Sequence, residues 1–399
     1  MRTFFTILYL IILVAFFVVL LRSALTRKMR SKIRTVKPVA GPGLPSNIET
    51  ISPVSGSAEP SNIKSDEHVV FFNTAARTSS DGRHWILPTH GWVFEPEDST
   101  VRTAVIARGL KEKYGLVATD DTIVNFERRA NLFLADNERG KRLLVRVGDH
   151  RYLLPTSHTD GHVEAEIRFP VEATAEMAKD GTVPFKAVLP PGDSRTFSGK
   201  VLLTSARGIS VISDIDDTVK VAEVTDHSRM FDRTFFQDFE AVDGMATLYA
   251  RWAECGVRFH FVSSSPWQLY EPLAEFLEQH VFPPASMSLR AFRFRDPTFY
   301  NLFRKGTETK PLQIEPILNV FPERHFVLIG DSGEQDPEVY ADIMRKYAKQ
   351  ILRIYIRNVS SASAADSRFQ EVFRGISPQK WMLFCDPSQL ELPVAPHSP

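Results

Sequence analysis

The sequence predicts an α/β domain built on a parallel sheet, preceded by a β-rich, sandwich-like domain and an N-terminal transmembrane helix. Three observations carry that reading: an unbroken apolar run at the N-terminus, short alternating stretches between regularly spaced turns, and alternating strand and helix patterns from about residue 206. At 399 residues the chain is too long for one ordinary core, so more than one domain is expected.

Residues 3–21 read TFFTILYLIILVAFFVVLL, with no charge, Gly or Pro. At ~1.5 Å of rise per residue such a helix spans about the ~30 Å of bilayer hydrocarbon. A cleaved secretory signal has a shorter apolar core, ~7–15 residues. Arg22, Arg27, Lys28, Arg30, Lys32, Arg34 and Lys37 follow, with no acid before Glu49. Positive flanks stay cytoplasmic and lie against anionic headgroups. Residues 1–37 are therefore expected to form a retained single-pass anchor, with the rest of the chain facing the cytosol. Residues 38–67, rich in Pro, Ser and Gly, read as a flexible linker.

Bulk charge narrows the partners. Acidic and basic residues number 48 each, so no global field recruits nucleic acid, and none is expected as a partner. Cys255 and Cys385 stand far apart and offer neither a metal-ligand spacing nor a disulfide framework, which fits a reducing compartment.

Residues 68–205 read as mostly β. The stretches HWILP, GWVFEP, RLLVRV, HRYLLP, VEAEIRF, PFKAVLP and GKVLLTS are separated by turns at Ser80-Asp81-Gly82, Asp160-Gly161, Asp180-Gly181 and Pro191-Gly192. That spacing is the mark of a sandwich or barrel. A helical patch near 103–114 is the exception. His158 and His162 bracket Asp160 in TSHTDGHVE, and without a suitably spaced third ligand they read as a polar hairpin turn.

From 206 to 360 the pattern alternates. The strands are ISVISDIDD, VRFHFVSSS, SMSLRAF, RHFVLIGDSG and ILRIYIRNV. Between them Met245, Leu248, Tyr249 and Trp252 share one helical face, as do Leu273, Phe276 and Leu277. Alternation of this kind implies a parallel sheet with right-handed crossovers, and ligands bind off the carboxyl ends of its strands. Residues 361–399 form a C-terminal extension.

Those strand ends carry the chemistry. The first ends in Asp214, Asp216, Asp217 and Thr218, and the fourth in Gly330, Asp331, Glu334 and Asp336. Clustered carboxylates repel unless a cation neutralises them, and hard oxygen ligands of this kind suit Mg²⁺. The second strand ends in Ser263, Ser264 and Ser265, whose hydroxyls can hold phosphate oxygens. Lys310 opens the helix before the fourth strand and is placed to neutralise both a nucleophile and a phosphate.

Taken in order, Asp214-x-Asp216-x-Thr218, Ser263, Lys310 and Gly330-Asp331 with Asp336 resemble the four motifs of the haloacid dehalogenase superfamily. The stretches DIDDT, FVSSSPWQLY, GDSGEQDPEVY and WMLFCDP resemble the actin-patch type of Mg²⁺-dependent phosphatidate phosphatase. The resemblance implies a haloacid-dehalogenase-like fold and hydrolysis of phosphatidate to diacylglycerol. It implies that Asp214 is the nucleophile and Asp216 the acid and base in turn. It gives Mg²⁺ to Asp214, the Asp216 carbonyl and Asp331, with Asp336 positioning the metal's water or Lys310. Ser263 and Lys310 would orient the phosphoryl group, and Thr218 and Ser264 would contact substrate. Residues 290–305, RAFRFRDPTFYNLFRK, interleave cations with aromatics. They either bind a lipid headgroup, through Arg293 and Arg295, or belong to the third strand's core. About forty residues separate the first two motifs, which leaves room for a small cap only. A protein phosphatase of the same chemistry and a non-catalytic lipid-binding scaffold are the alternatives.

Overall fold

The computed structural model describes residues 48–55, 58–96, 120–290, 309–360 and 363–394. The expected anchor, the linker up to residue 47, the helical patch at 103–114, and Arg293 and Arg295 lie outside the described residues. Among the described residues, no helix is long and apolar enough to cross a membrane.

A mixed ten-stranded sheet comes first. Its strands are β1 (Thr50–Ile51), β2 (His68–Phe72), β3 (Thr74–Thr78), β4 (His84–Glu95) and β5 (Asp136–Asn137). They continue with β6 (Leu144–Val147), β7 (His150–Leu153), β8 (His162–Pro170), β9 (Thr182–Ala187) and β10 (Ser198–Leu203). The main path runs β1-β8-β4-β3-β10-β9-β6-β7, with β2 and β5 also paired to β4. Both halves of that path contribute to one apolar core: Phe71, Leu87, Ile167 and Phe169 from one, Val145, Tyr152, Phe185 and Val201 from the other. The turn at 158–162 is tight, with the Gly161 N–H on the His158 carbonyl and the His158 N–H on that of His162.

Three features of this region differ from the sequence reading. HWILP and GWVFEP are one continuous strand, because Pro88 is accommodated within β4 in register with Glu166 of β8. Residues 48–67 are not a free linker in their described part. Thr50 and Ile51 pair with Glu166 and Ile167, and Ile51, Ser61, Ile63 and Glu67 are buried. Two isoleucines and satisfied polar groups are enough to seat a Pro- and Ser-rich stretch on a preformed sheet. The third feature is a helix, α1 (Asp120–Leu134), which buries Ile123, Phe126, Ala130 and Phe133 at helical spacing.

The second sheet is parallel and six-stranded, in the order β13-β12-β11-β14-β15-β16. Its strands are β11 (Ile209–Ser213), β12 (Arg258–Pro266), β13 (Ala285–Arg290), β14 (His325–Asp331), β15 (Ile351–Arg357) and β16 (Trp381–Phe384). The first five are the strands read from the sequence. The sixth lies in what was expected to be an extension outside the domain, and it pairs Trp381 to Phe384 with Ile354 to Arg357. Following α2 (Val171–Thr174), the helices here are α3 (His227–Phe235), α4 (Met245–Glu254), α5 (Tyr270–Gln279), α6 (Lys310–Val320), α7 (Asp336–Lys346) and α8 (Ser367–Val372). Helix α4 buries the face the pattern predicts, Met245, Leu248, Tyr249 and Trp252, each contributing roughly 1.5–3 kcal/mol if fully buried. Helices α6 and α7 place Ile314, Leu318, Tyr340 and Ile343 in a core with Ile212, Leu328 and Ile354 of the sheet.

The passage between the sheets is pinned. Buried Arg324 donates to the carbonyls of Ser205, Arg207 and Ile209, and to the Ser210 hydroxyl. The Arg258 guanidinium reaches the Leu203 carbonyl at 3.0 Å. Farther along, the Asn73 carbonyl accepts from the Met287 N–H, and the Asn73 N–H donates to the Tyr270 hydroxyl.

Candidate active site

Strand β11 is the point at which the topology reverses. From it the chain moves outward to β12 and β13, then returns to β14 on its other side. A crevice therefore opens above the carboxyl ends of β11 and β14. Register brings the two together, with Ser213 opposite Ile329 and the Asp214 N–H on the Ile329 carbonyl at 2.9 Å.

The three aspartates after β11 are satisfied in three different ways. Asp214 is 1% exposed; one oxygen lies 2.8 Å from the Lys310 ammonium and the other accepts from the Thr218 hydroxyl at 3.4 Å. Asp216 is ion-paired to buried Lys220 at 2.7 Å through Oδ1. Its Oδ2 accepts from Ser265 at 2.9 Å and from Ser263 at 3.3 Å. Asp217 sits at φ 51°, and its carboxylate accepts the N–H groups of Ala222, Glu223 and Val224 at 2.7–2.9 Å. That third charge therefore serves the backbone of the following loop.

Lys310 begins α6, with Pro311 beside it in the first turn, where proline's missing N–H is no loss. Its buried ammonium also contacts Glu334 at 3.0 Å and Asp336. One turn on, Gln313 donates to the carbonyls of Ser263 and Ser288, which fixes the end of β12 against β13. Asp336 opens α7 and also accepts from the Asp331 N–H at 3.2 Å. Gly330 allows this: a Cβ there would sit 2.1 Å from the Asp336 carboxylate. Asp331 Oδ1 takes the N–H groups of Gly333 and Glu334 at 2.7 and 2.9 Å, while its Oδ2 is buried with no hydrogen-bond partner. Arg368 of α8 holds this loop from outside, donating to the Ser332 and Glu334 carbonyls.

Charge is unevenly compensated. Burial pushes the Asp214 carboxyl well above the ordinary carboxylate range; Lys310 opposes this, and Asp336, Glu334 and Asp331 add to it. Asp331 is driven well up by burial and by Asp336 and Glu334, and Asp336 is raised by its burial despite Lys310. For Lys310 burial acts downward, but Asp214, Asp336 and Glu334 hold it well above its usual value. Asp216 differs: burial acts upward on it, yet Lys220 and the Ser265 hydrogen bond bring it below its usual value. Three carboxylates around one ammonium, with a buried unpartnered oxygen on neighbouring Asp331, form a donor set suited to a cation. Oxygens of Asp214, Glu334 and Asp336 lie within 4.8 Å of one another, and that group surrounds the Lys310 ammonium.

Asp214, Asp216, Thr218, Ser263, Lys310, Asp331 and Asp336 thus converge. The Ser264 hydroxyl is buried close by in the chain with no hydrogen-bond partner. Sequence reasoning missed Lys220 and Ser265 as holders of Asp216, and Glu334 as a partner of Lys310. The signals were present in Lys220 four residues after Asp216 and in the third serine of the triplet. The segment between the first two motifs holds two helices, α3 and α4, where the sequence pattern showed only the second. Helix α1 packs against it, with Phe126 stacked on Phe236 and Phe126 and Phe133 tilted against Phe235.

A family-model match falls on this same segment. Residues 209–358 match the family model described as phosphatidate phosphatase APP1, catalytic domain. Phosphatidate phosphatase APP1 of Saccharomyces cerevisiae is 35% identical over 190 residues, 46% of this chain and 31% of its own length. An uncharacterized protein of Schizosaccharomyces pombe is 30% identical over 264 residues, 65% of this chain and 40% of its own. The chain thus spans less than half the length of these curated relatives. Among solved structures, a Thermotoga maritima protein described as a beta-phosphoglucomutase aligns over 45% of this chain and 95% of its own, at 16% identity. Its TM-score of 0.28 is too low for the overlay to carry an argument. Residues 209–358 resemble the catalytic domain of phosphatidate phosphatase APP1, as the motifs led us to expect.

Proposed function

We propose that this chain is a Mg²⁺-dependent phosphatase of haloacid-dehalogenase-like mechanism that hydrolyses phosphatidate to diacylglycerol and phosphate at a membrane surface. The observation that carries the reading is buried Asp214 at 2.8 Å from Lys310, beside the unpartnered oxygen of Asp331. Asp214, Asp331 and the Asp216 carbonyl would hold the metal, which when bound offsets the charge between carboxylate and phosphate. Asp336 serves Lys310 instead.

The chain's own groups account for the remaining steps. Asp214 attacks phosphorus, the bond to the leaving alkoxide breaks, and an aspartyl-phosphate forms. Asp216 passes a proton to that alkoxide. Because Lys220 and Ser265 favour its ionised form, a monoanionic ester is the natural source of this proton. Asp216, again a carboxylate, then takes a proton from the water that attacks the aspartyl-phosphate, freeing phosphate and Asp214. Lys310, Ser263 and the Ser264 hydroxyl orient the phosphoryl oxygens, and Thr218 steadies Asp214. The lipid part of the reading is supported by the likeness to phosphatidate phosphatase APP1 and by the apolar run and basic flank of residues 1–37. Arg293 and Arg295 are the proposed headgroup contacts.

The test is phosphate release from mixed micelles containing phosphatidate, with Mg²⁺ or EDTA. Mg²⁺-dependent release is expected, falling by at least about a thousandfold in Asp214→Asn, as for loss of a nucleophile. Release from phosphopeptides in preference to phosphatidate would overturn the lipid assignment and keep the chemistry.

A further inference from the structure

The Asp216–Lys220 pair has a form that general packing does not call for. Lys220 is 1% exposed, and burying a lysine is costly unless its charge is met. Its ammonium meets one carboxylate, that of Asp216, at 2.7 Å. The lysine backbone is fixed on both sides: its N–H donates to the Ile215 carbonyl and its own carbonyl accepts from the Asp217 N–H. Bridges to Asp216 and Ala241 add to that hold.

The remaining oxygen of Asp216 is taken by hydroxyls of the neighbouring strand, Ser265 and Ser263. The carboxylate is therefore held by an ion pair at one oxygen and by hydroxyls at the other. Behind Lys220 stands the ring of Phe239, 4.9 Å from the ammonium. The same ring carries the Arg129 guanidinium at 3.9 Å. Arg129 is itself buried in α1 and donates to the carbonyls of Thr234 and Gln237. A continuous stack thus runs from α1, an element of the first sheet's region, to the side chain assigned the proton transfers.

We propose that Lys220 is a positioning residue: it aims the Asp216 carboxylate at the leaving oxygen, with the Phe239–Arg129 stack as its brace. This role rests on the phosphatase reading and makes a demand that mere stability does not. Proton transfer to the leaving group matters for an alkoxide and hardly at all for p-nitrophenolate, which departs as a stable anion. Loss of aim should therefore depend on the leaving group.

The experiment compares kcat/KM of the full chain on phosphatidate in mixed micelles and on p-nitrophenyl phosphate, for wild type, Lys220→Met and Lys220→Arg. Lys220→Met is expected to lose about a hundredfold on phosphatidate, in the range of one general acid, and less than about fivefold on the nitrophenyl ester. It should also give a burst of nitrophenolate, because Asp216 is needed again to release the aspartyl-phosphate. Lys220→Arg should recover most of the loss. Equal losses on both esters, or no recovery with arginine, would overturn the role. Lys220→Gln, which keeps a polar head in the same space, carries the comparison if Lys220→Met does not fold. A wild-type protein that releases phosphate from neither ester overturns the phosphatase reading and this role together.

Discussion

Each of the two sheets encloses a carboxylate against a lysine, and the surroundings of the pairs differ. In the mixed sheet the Glu67 side chain is fully enclosed and meets Lys141, with Lys64 at 3.2 Å from Glu67 and Glu138 at 3.3 Å from Lys141. Two acids face two bases. In the parallel sheet Asp214 meets Lys310, whose ammonium also contacts Glu334 and Asp336, and Asp331 stands beside them with an unpartnered oxygen. There three acids meet one base, with a fourth acid close by. For Glu67, burial acts upward, yet Lys141 and the Lys64 N–H hold it below its usual value; Asp214 is driven well above it. A balanced buried pair is a structural joint. An unbalanced one is costly to the fold by itself, and a bound cation would offset the excess.

The comparison breaks most visibly at its balanced side. Glu67→Gln should destabilise the protein by about 4 kcal/mol, because it breaks a buried ion pair and leaves Lys141 with the partly exposed Glu138 alone, with Mg²⁺ making no difference to the loss; chemical denaturation measures it. Next in size is Asp217→Ala, expected to cost about 3 kcal/mol through loss of three N–H bonds to a charged acceptor. Asp217→Gly should cost about 1 kcal/mol less, since φ 51° suits glycine. In Asp214→Asn the sign should reverse: in EDTA it should be more stable than wild type, on the order of 1 kcal/mol, by relief of like-charge repulsion. A less stable Asp214→Asn protein would mean that Lys310 already balances the site.

The smallest effect is one of pH. The raised carboxyls of Asp214, Asp331 and Asp336 bind protons in the folded state that the unfolded chain has released. Stability in EDTA should therefore fall as pH rises from the ordinary carboxylate range toward neutrality. Glu67 works oppositely, its contribution being present above its usual value and lost as pH falls through its depressed one. Thermal melts between pH 4 and 7 should show the decline in EDTA and a flatter profile with Mg²⁺.

The legible parts of the molecule were those where one residue type at one strand end has few uses. Near-continuous apolar strands ending in Asp214, Ser263 and Asp331 located the crevice, because a parallel sheet fixes where such ends meet. What stayed hidden depends on partners distant in sequence. Asp217 belongs to the same acidic run as Asp214 and Asp216, and only the turn places it under three N–H groups. Glu334 gives no sign that it reaches Lys310, 24 positions earlier. Helix α1 carries a readable apolar face, Ile123, Phe126, Ala130 and Phe133, but short alternating strands on both sides drew the whole region toward β. Strand β16 has four residues, too few for any periodicity, and its pairing with β15 comes from the sheet already formed.

That last strand changes what counts as the smallest excisable piece. The family match stops at residue 358, yet Arg368 grips the loop between Asp331 and Asp336. Beyond β16 the carbonyls of Leu390 and Glu391 are held by Arg251 and Tyr355. A fragment trimmed to the matched length would bare one edge of the sheet and release the loop that carries Glu334. Boundaries for a fragment that keeps these contacts, and those of Arg129 with Thr234 and Gln237, belong before Asp120 and after Glu391.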